Sequence, residues 1–225
     1  MDIYDEITGQ KITDPDLSAG YLYDGMIVTG RAEEHIQVME GTVTADRPDG
    51  LRRLVPARDI TEPCRWYHTY TEEDKQAAVS DKLSELSSAC NAAITAGADV
   101  QLSDGSTARF SYSLEDQSNV SEMFNSVLMG ATSYPYHANG ENCRMYSAAD
   151  ITAIYLALSS LKTGQTTYYN QLRQYVQTLE TVPKINAVKY GDALAGEYLE
   201  TYNTLLTQAQ TEMQKILAKV TDDAG

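Results

Sequence analysis

Hydrophobic residues recur at two different spacings along this chain, and the spacing changes near residue 71. Downstream of that point, apolar residues follow each other at intervals of three and four, which is typical of amphipathic helices. Upstream, short runs of alternating apolar and polar residues are separated by glycine or proline, which is typical of short strands and turns. The pattern predicts an α+β, mainly helical fold with an extended N-terminal arm.

The arm, residues 1–70, shows few signs of a core of its own. It contains four of the six prolines and frequent glycines, so long helices are excluded there. Short strands are predicted at residues 21–23, 26–29, 36–39 and 41–44, with a turn at residues 47–50. We expect this arm to dock on neighbouring subunits.

Residues 71–182 carry the signals of a compact α+β domain. Capping boxes at Thr71/Asp74, Ser113/Asp116 and Ser147/Asp150 predict three helix starts. Two hairpins are predicted between these helices, with turns at Asp104-Gly105 and Asn139-Gly140. Gly97 and Gly130 are predicted to end the first two helices, and Gly164 to break or kink the third.

Residues 183–225 contain the clearest periodic signal and are predicted to form an amphipathic C-terminal helix. Its apolar residues keep heptad spacing, which is typical of a coiled coil or a helical bundle: Ala195, Leu199, Tyr202, Leu206, Ala209, Met213, Ile216 and Val220. The partner of this stripe is either the helix at residues 71–96, packed antiparallel in the same chain, or a copy in another subunit.

Tyrosine is strongly over-represented among the aromatic residues, with 16 tyrosines beside two phenylalanines and one tryptophan. Tyrosine covers apolar area and still offers a hydroxyl group, so it suits protein contact surfaces. The alternative is that tyrosine replaces phenylalanine in an ordinary core. We predict that the interface residues are Tyr21, Tyr23, Trp66, Tyr67, Leu199, Tyr202, Leu206, Met213 and Ile216.

The formal net charge of −15 is spread over both parts of the chain, which argues against nucleic-acid binding. The only basic cluster comprises Arg47, Arg52, Arg53 and Arg58. It either binds an acidic neighbour, such as another copy of this chain, or lies in a solvated loop. No secretory signal or membrane-spanning segment is predicted, so we expect no membrane insertion.

No catalytic or metal-binding motif stands out in the sequence. The cysteines Cys64, Cys90 and Cys143 lie far apart, which argues against a disulfide framework and a zinc site and favours a reducing compartment. A Cys–His dyad of Cys143 and His137 is conceivable, but a half-buried hairpin pair is the favoured interpretation. Asp14 and Asp16 lack the loop of a calcium site. We predict no enzymatic activity and no cofactor.

Four segments carry a resemblance to a known family: residues 100–105, 115–120, 134–140 and 146–150. Together they resemble a small uncharacterised domain that recurs in bacteriophage tail and baseplate proteins, over about residues 100–179. Residues 4–21 also resemble the beginning of small tail proteins from phages of Gram-positive bacteria. The family has no established activity, so the resemblance implies no catalytic residue.

The resemblance implies a structural protein of the virion, in the tail tip, the baseplate or the fibre attachment. The expected partners are other tail, baseplate or fibre proteins, in a homo-oligomer that assembles in the host cytoplasm. Two alternatives remain: a tail-fibre assembly chaperone, and a carbohydrate-binding or hydrolytic tail module that uses Tyr134 and Tyr136.

Overall fold

The computed structural model describes residues 1–222, with side chains up to Ala218. Within this range the chain forms ten strands and five helices, and the predicted α+β fold class is confirmed. Two compact units are present, Met1–Lys75 and Gln76–Gly225. Residues 183–222 therefore lie in the same unit as the two predicted hairpins.

The N-terminal unit is built around one long hairpin. Its strands are β1 (Ile3–Asp5), β2 (Lys11–Ile12), β3 (Gly20–Ala32), β4 (His35–Val38), β5 (Arg52–Val55) and β6 (Arg58–Thr69). At the base, a four-stranded sheet has the order β2-β1-β6-β3, in which β1 runs parallel to β6. Beyond the base, β3 pairs with β6 and β4 with β5, and we call these two ladders together the ribbon.

The ribbon is more regular than the sequence pattern predicts. The short strands expected at residues 21–23 and 26–29 are parts of the single 13-residue strand β3. The ladder continues through Gly25, where the Trp66 ring occupies the space that a Cβ atom would need. Residues 41–44 form no strand, and Thr44 makes only an isolated bridge to Arg47.

The predicted turn at residues 47–50 is confirmed, since the Gly50 amide donates a hydrogen bond to the Arg47 carbonyl oxygen at 3.1 Å. Few side chains of the N-terminal unit are buried. Cys64 and Tyr67 are its only buried hydrophobic residues, and the Tyr67 hydroxyl donates to the Asp16 carbonyl oxygen at 2.7 Å.

The C-terminal unit alternates helices with hairpins, in the predicted order. Its elements are α1 (Glu72–Thr95), which begins at the end of the N-terminal unit, β7 (Ala98–Gln101), β8 (Thr107–Phe110), α2 (Leu114–Leu128), β9 (Ser133–Tyr136), β10 (Arg144–Ser147), α3 (Ala148–Thr178), α4 (Val182–Ala187) and α5 (Gly196–Asp222). The capping boxes at Ser113/Asp116 and Ser147/Asp150 are both formed.

One continuous core lies between α1, α2, α3 and the two hairpins. Its largest fully buried side chains include Phe110, Met123, Tyr146, Ile151, Ile154 and Leu158. The Phe110 ring makes an edge contact with Tyr146, with ring centres 5.7 Å apart. Phe124 of α2 stacks on Tyr155 of α3 at 3.9 Å, which ties the two helices together.

The predicted break at Gly164 is wrong, because α3 runs without interruption for 31 residues. A glycine inside a helix costs about 1 kcal/mol relative to alanine. Packing on two sides offsets this cost: the Cys90 thiol of α1 donates to the Gln165 carbonyl oxygen, and Tyr202 of α5 lies close to Gly164.

The C-terminal helix begins at Gly196 rather than residue 183, because α4 and a loop precede it. It packs along α3, so the alternative of an antiparallel pairing with α1 in the same chain is wrong, and the alternative of a copy in another subunit stays a prediction. Its half-buried residues are Tyr198, Tyr202, Leu206, Ala209, Met213 and Leu217. Leu199 and Ile216 of the predicted stripe stay 41% and 42% exposed, and the Val220 side chain lies outside the described residues.

Candidate functional site

One face of the N-terminal sheet collects aromatic side chains. Strand alternation places Tyr21 and Tyr23 of β3 opposite His68 and Trp66 of β6, and β1 adds Tyr4 beside Trp66. We call this surface, together with Tyr70, the aromatic face. Neighbouring ring centres on it are 5.1–6.1 Å apart.

The aromatic face is open to solvent. Tyr21 is 43% and Tyr23 is 37% exposed, while Trp66 and Tyr70 are half-buried. The Trp66 indole packs against the backbone at Gly25, a position where only glycine leaves room for it. The rings therefore form one continuous aromatic surface on this side of the sheet.

Two carboxylates border the aromatic face through His68. Nδ1 of His68 lies 2.5 Å from Oε2 of Glu6, and Nε2 lies 3.1 Å from Oδ2 of Asp74. The same Asp74 oxygen accepts hydrogen bonds from the Thr71 hydroxyl at 2.6 Å and the Thr71 amide at 2.8 Å. The N-cap of α1 and the aromatic face thus share one carboxylate.

These contacts shift the pKa values of the groups involved. Hydrogen bonds to Asp74 and Glu6 raise the pKa of His68. Hydrogen bonds from Thr71, and after them the one from His68, lower the pKa of Asp74 to about 2. Both carboxylates engage the imidazole, so neither nitrogen of His68 is free to act as a general base.

The chemistry of the aromatic face suits a cationic group. Tyrosine and tryptophan rings attract cations over their faces, and arginine both stacks on such rings and pairs with carboxylates. The structure therefore supports binding of a basic side chain more directly than it supports a reaction.

Three of the predicted interface residues, Tyr21, Tyr23 and Trp66, meet on the aromatic face. Tyr67 points to the opposite side of β6 and is only 7% exposed, so it is a core residue of this unit. Tyr4, Glu6 and the role of His68 were not predicted from the sequence. The alternation of Cys64, Trp66 and His68 along the chain indicates that these three side chains share one face of a strand. No local sequence pattern indicates that β1 pairs in parallel with β6.

The other five predicted interface residues lie on α5, in the C-terminal unit. Tyr202, Leu206 and Met213 face α3, where Leu206 and Met213 line a small cavity with Ser159 and Thr163. These three side chains therefore contribute to packing between α5 and α3 within the chain. The interface role of Leu199 and Ile216 stays a prediction.

The far end of the ribbon carries the basic cluster found in the sequence. Arg52 and Arg53 are exposed on β5, and Arg47 lies in the adjoining turn. Within the described residues, none of these arginines, nor Arg58, makes an ion pair. Exposed apolar side chains surround them: Ile36, Val38, Met39, Leu51 and Leu54.

The C-terminal unit contains a cavity of about 580 Å³ between α3, α4 and the start of α5. Its lining is mostly apolar, as at Leu172 and Tyr198, with Lys184 and Asp192 as the charged residues. The loop that forms one wall is fixed by Tyr168, whose hydroxyl donates to the Asp192 carbonyl oxygen at 2.7 Å.

The other candidate sites are not assembled as reactive groups. His137 contacts the Ala138 carbonyl oxygen at 3.3 Å, and Cys143 is exposed with no hydrogen bond in the described structure. Asp16 accepts hydrogen bonds from Ser18. Residues 1–222 contain no cluster of three or more potential metal ligands, and none of their helices has the length and hydropathy to cross a bilayer.

A family model described as a domain of unknown function (DUF4376) matches residues 75–191, just over half of the chain. The match includes both hairpins and helices α1 to α4, so the predicted uncharacterised domain is confirmed with wider bounds. No curated protein and no solved structure is significantly similar to the chain. The C-terminal unit therefore contains this domain, and the chain belongs to the DUF4376 family.

Proposed function

We propose that this protein is a structural component of a phage tail or tail-like particle and acts by binding other proteins. The observation that carries the proposal is the exposure of apolar side chains along the ribbon. Met26, Val28, Ile36, Leu54 and Ile60 are each between 47% and 64% exposed. Ile36 and Leu54 are cross-strand neighbours, so their side chains lie together on one exposed face, and an exposed apolar patch is typical of a protein interaction site.

Both faces of the ribbon contribute to this surface. Met26 and Val28 share one face of β3, whereas Ile60 of β6 belongs to the other face, opposite Gly30. No other element of the N-terminal unit covers either face there, because β1 and β2 pair only at the base. A partner protein that packs on the ribbon would remove this apolar area from water.

The phage context of the proposal rests on the resemblance of residues 100–179 to a domain of phage tail and baseplate proteins. The acidic net charge of −15 is compatible with a subunit that is present at high local concentration. The expected partners are other tail, baseplate or fibre proteins.

The proposal is tested with a shortened ribbon. Residues 33–57 are replaced by an Asn-Gly turn, which connects the cross-strand neighbours Ala32 and Arg58. The full-length and shortened chains are each expressed during particle production, and purified particles are analysed by mass spectrometry. We expect the full-length chain in the particles and the shortened chain in the unassembled fraction, with an unchanged helical circular dichroism spectrum.

Absence of the full-length chain from mature particles would contradict the proposal. If the chain were instead recovered from the unassembled fraction in complex with a fibre protein, the assembly chaperone would be the correct alternative. Incorporation of the shortened chain at the full-length level would show that residues 33–57, the end of the ribbon, have no docking role.

A further inference from the structure

We propose that the aromatic face of one copy binds the arginine-bearing end of the ribbon of a second copy. This contact would join copies head to tail. It deepens the proposed function and rests on it only in treating the protein as an assembly subunit. Both halves of the contact lie within the N-terminal unit and are complementary in chemistry.

The aromatic face provides the binding half. Its exposed rings, Tyr21 and Tyr23, lie next to a pair of carboxylates, Glu6 and Asp74, that are held in place by His68. A guanidinium group can stack on such rings while it donates hydrogen bonds to a carboxylate. Tyrosine, tryptophan and arginine are also the residues that dominate binding energy at protein interfaces.

The end of the ribbon provides the other half of the contact, the arginine side chains that would bind to the aromatic face. Arg47, Arg52 and Arg53 are all exposed, and none lies within ion-pair distance of a described acidic group. This includes the acids close to them in sequence: Glu40, Asp46 and Asp49. Arg52 shares its face of the ladder with Ile36, Val38 and Leu54, so the arginine is surrounded by apolar area that a partner would cover.

The distance along the ribbon excludes a contact within one chain. The paired strands run from Tyr21 on the aromatic face to Val38 near the ribbon end. At about 3.3 Å per residue, these positions are roughly 55 Å apart. Because the ladder resumes only three residues after Ala32, the hairpin has no long loop that would let it fold back on its base.

A contact between two different surfaces is heterologous, and repeated heterologous contacts close into a ring or extend into a filament. Each copy would then use its aromatic face for one neighbour and its ribbon end for the other. Either arrangement would supply the repeating contacts that a tail subunit needs.

The test uses two full-length variants with complementary defects. The end variant, Arg52→Glu with Arg53→Glu, keeps an intact aromatic face. The face variant, Tyr21→Lys with Tyr23→Lys, keeps an intact ribbon end. Light scattering coupled to size exclusion should show oligomers for the unmodified protein and monomers for each variant alone, with association weakened at least about 30-fold.

An equimolar mixture of the two variants gives the decisive measurement. In a head-to-tail arrangement, the face of the end variant binds the ribbon end of the face variant, so a dimer forms and grows no further. The control variant, Arg173→Glu with Lys189→Glu, has the same charge change as the end variant at two exposed sites of the C-terminal unit and should assemble like the unmodified protein.

Two results would overturn the inference: an unmodified protein that stays monomeric at every concentration, or a mixture that stays monomeric while the unmodified protein assembles. Trp66 fluorescence and circular dichroism verify that each variant is folded, and Tyr23→Lys alone replaces the face variant if the double substitution unfolds it. Because these measurements use purified protein only, their failure leaves the particle experiment as an independent test of the proposed function.

Discussion

The two units of this chain differ in how many of their apolar side chains they bury. The C-terminal unit buries Phe110, Tyr146, Ile154 and their neighbours in one core shared by helices and hairpins. The N-terminal unit buries only Cys64 and Tyr67 among its hydrophobic side chains and leaves most of the ribbon exposed. The difference predicts that the C-terminal unit is the more stable of the two, because it buries much more apolar area.

The physical reason for this difference in burial is the number of packed layers of secondary structure in each unit. Domains bury apolar area by packing one layer of secondary structure on another, and an isolated two-stranded hairpin is marginally stable in water. The base of the ribbon gains two more strands, β1 and β2, and the aromatic face. The end of the ribbon has no such additional strands or aromatic rings. Its backbone hydrogen bonds therefore join only two strands, β4 and β5.

The largest expected effect is a substitution in the core of the C-terminal unit. Phe110→Ala should lower the free energy of unfolding by about 3–5 kcal/mol, because it leaves a cavity where the ring contacts Tyr136 and Tyr146. Urea unfolding monitored by circular dichroism at the helical signal measures this loss.

Ile36→Ala is the matched substitution in the ribbon, where the side chain is 64% exposed, and it should change stability by less than about 0.5 kcal/mol. The single tryptophan, Trp66, reports on the N-terminal unit separately. If Phe110→Ala shifted the fluorescence transition and the circular dichroism transition equally, the division into two independent units would be wrong.

A smaller effect is expected at Gly97, which follows α1. This residue has a φ of +71°, and a Cβ atom there would overlap the Phe110 carbonyl oxygen. Gly97→Ala should therefore cost at least about 2 kcal/mol, measured by the same urea unfolding. Gly105→Ala is the control, since its φ is +84° but no atom lies near, so only the conformational cost of about 1 kcal/mol applies.

The third effect concerns the cap of the longest helix. Ser147 accepts a hydrogen bond from the Asp150 amide at 3.2 Å, and Ser147→Ala should lower stability by about 1 kcal/mol. Ser118→Ala, in the exposed interior of α2, should change stability little, because alanine is the better helix former. Equal losses at the two serines in thermal unfolding would argue against the capping explanation.

The smallest effect is a pH dependence confined to the N-terminal unit. The pKa of His68 is raised from 6.5 in the folded chain, so its stabilising contribution is complete below pH 6.5 and is lost as the pH rises through the folded value. The pKa of Asp74 is lowered from 3.8 to about 2, so its contribution is complete above pH 3.8 and is lost as the pH falls towards 2.

Trp66 fluorescence during urea unfolding should therefore show the highest stability between about pH 4 and pH 6.5. His68→Gln should remove the decline above pH 6.5 and leave the acid limb from Asp74. A decline of the same size in the His68→Gln variant would assign the alkaline limb to another group.

Local signals in the sequence predicted much of the C-terminal unit. Each capping box and each Asp-Gly or Asn-Gly turn acts within a few residues, so Ser113, Ser147 and Gly105 were sufficient to place helix starts and a hairpin. Gly164 misled the prediction because its cost is offset by Tyr202, which lies far away in the sequence.

The candidate site was predicted less completely for the same reason. The excess of tyrosine indicated a contact surface, and Tyr21, Tyr23 and Trp66 do meet on one face. Glu6 reaches His68 across 62 positions in the sequence, through a parallel strand pair that no local pattern indicates. Contacts between residues that are far apart in the sequence can be identified only from the structure.

The β-bulge in the ribbon has a consequence for how the free chain avoids misassembly. Strand β3 lies at the edge of its sheet, and its register shifts between Val28 and Gly30. A long, flat edge strand invites neighbouring molecules to extend the sheet without limit, as in amyloid. A bulge bends the strand and increases its local twist, so an incoming strand cannot match the entire edge. We therefore expect the bulge to reduce the tendency of free chains to stack into fibres.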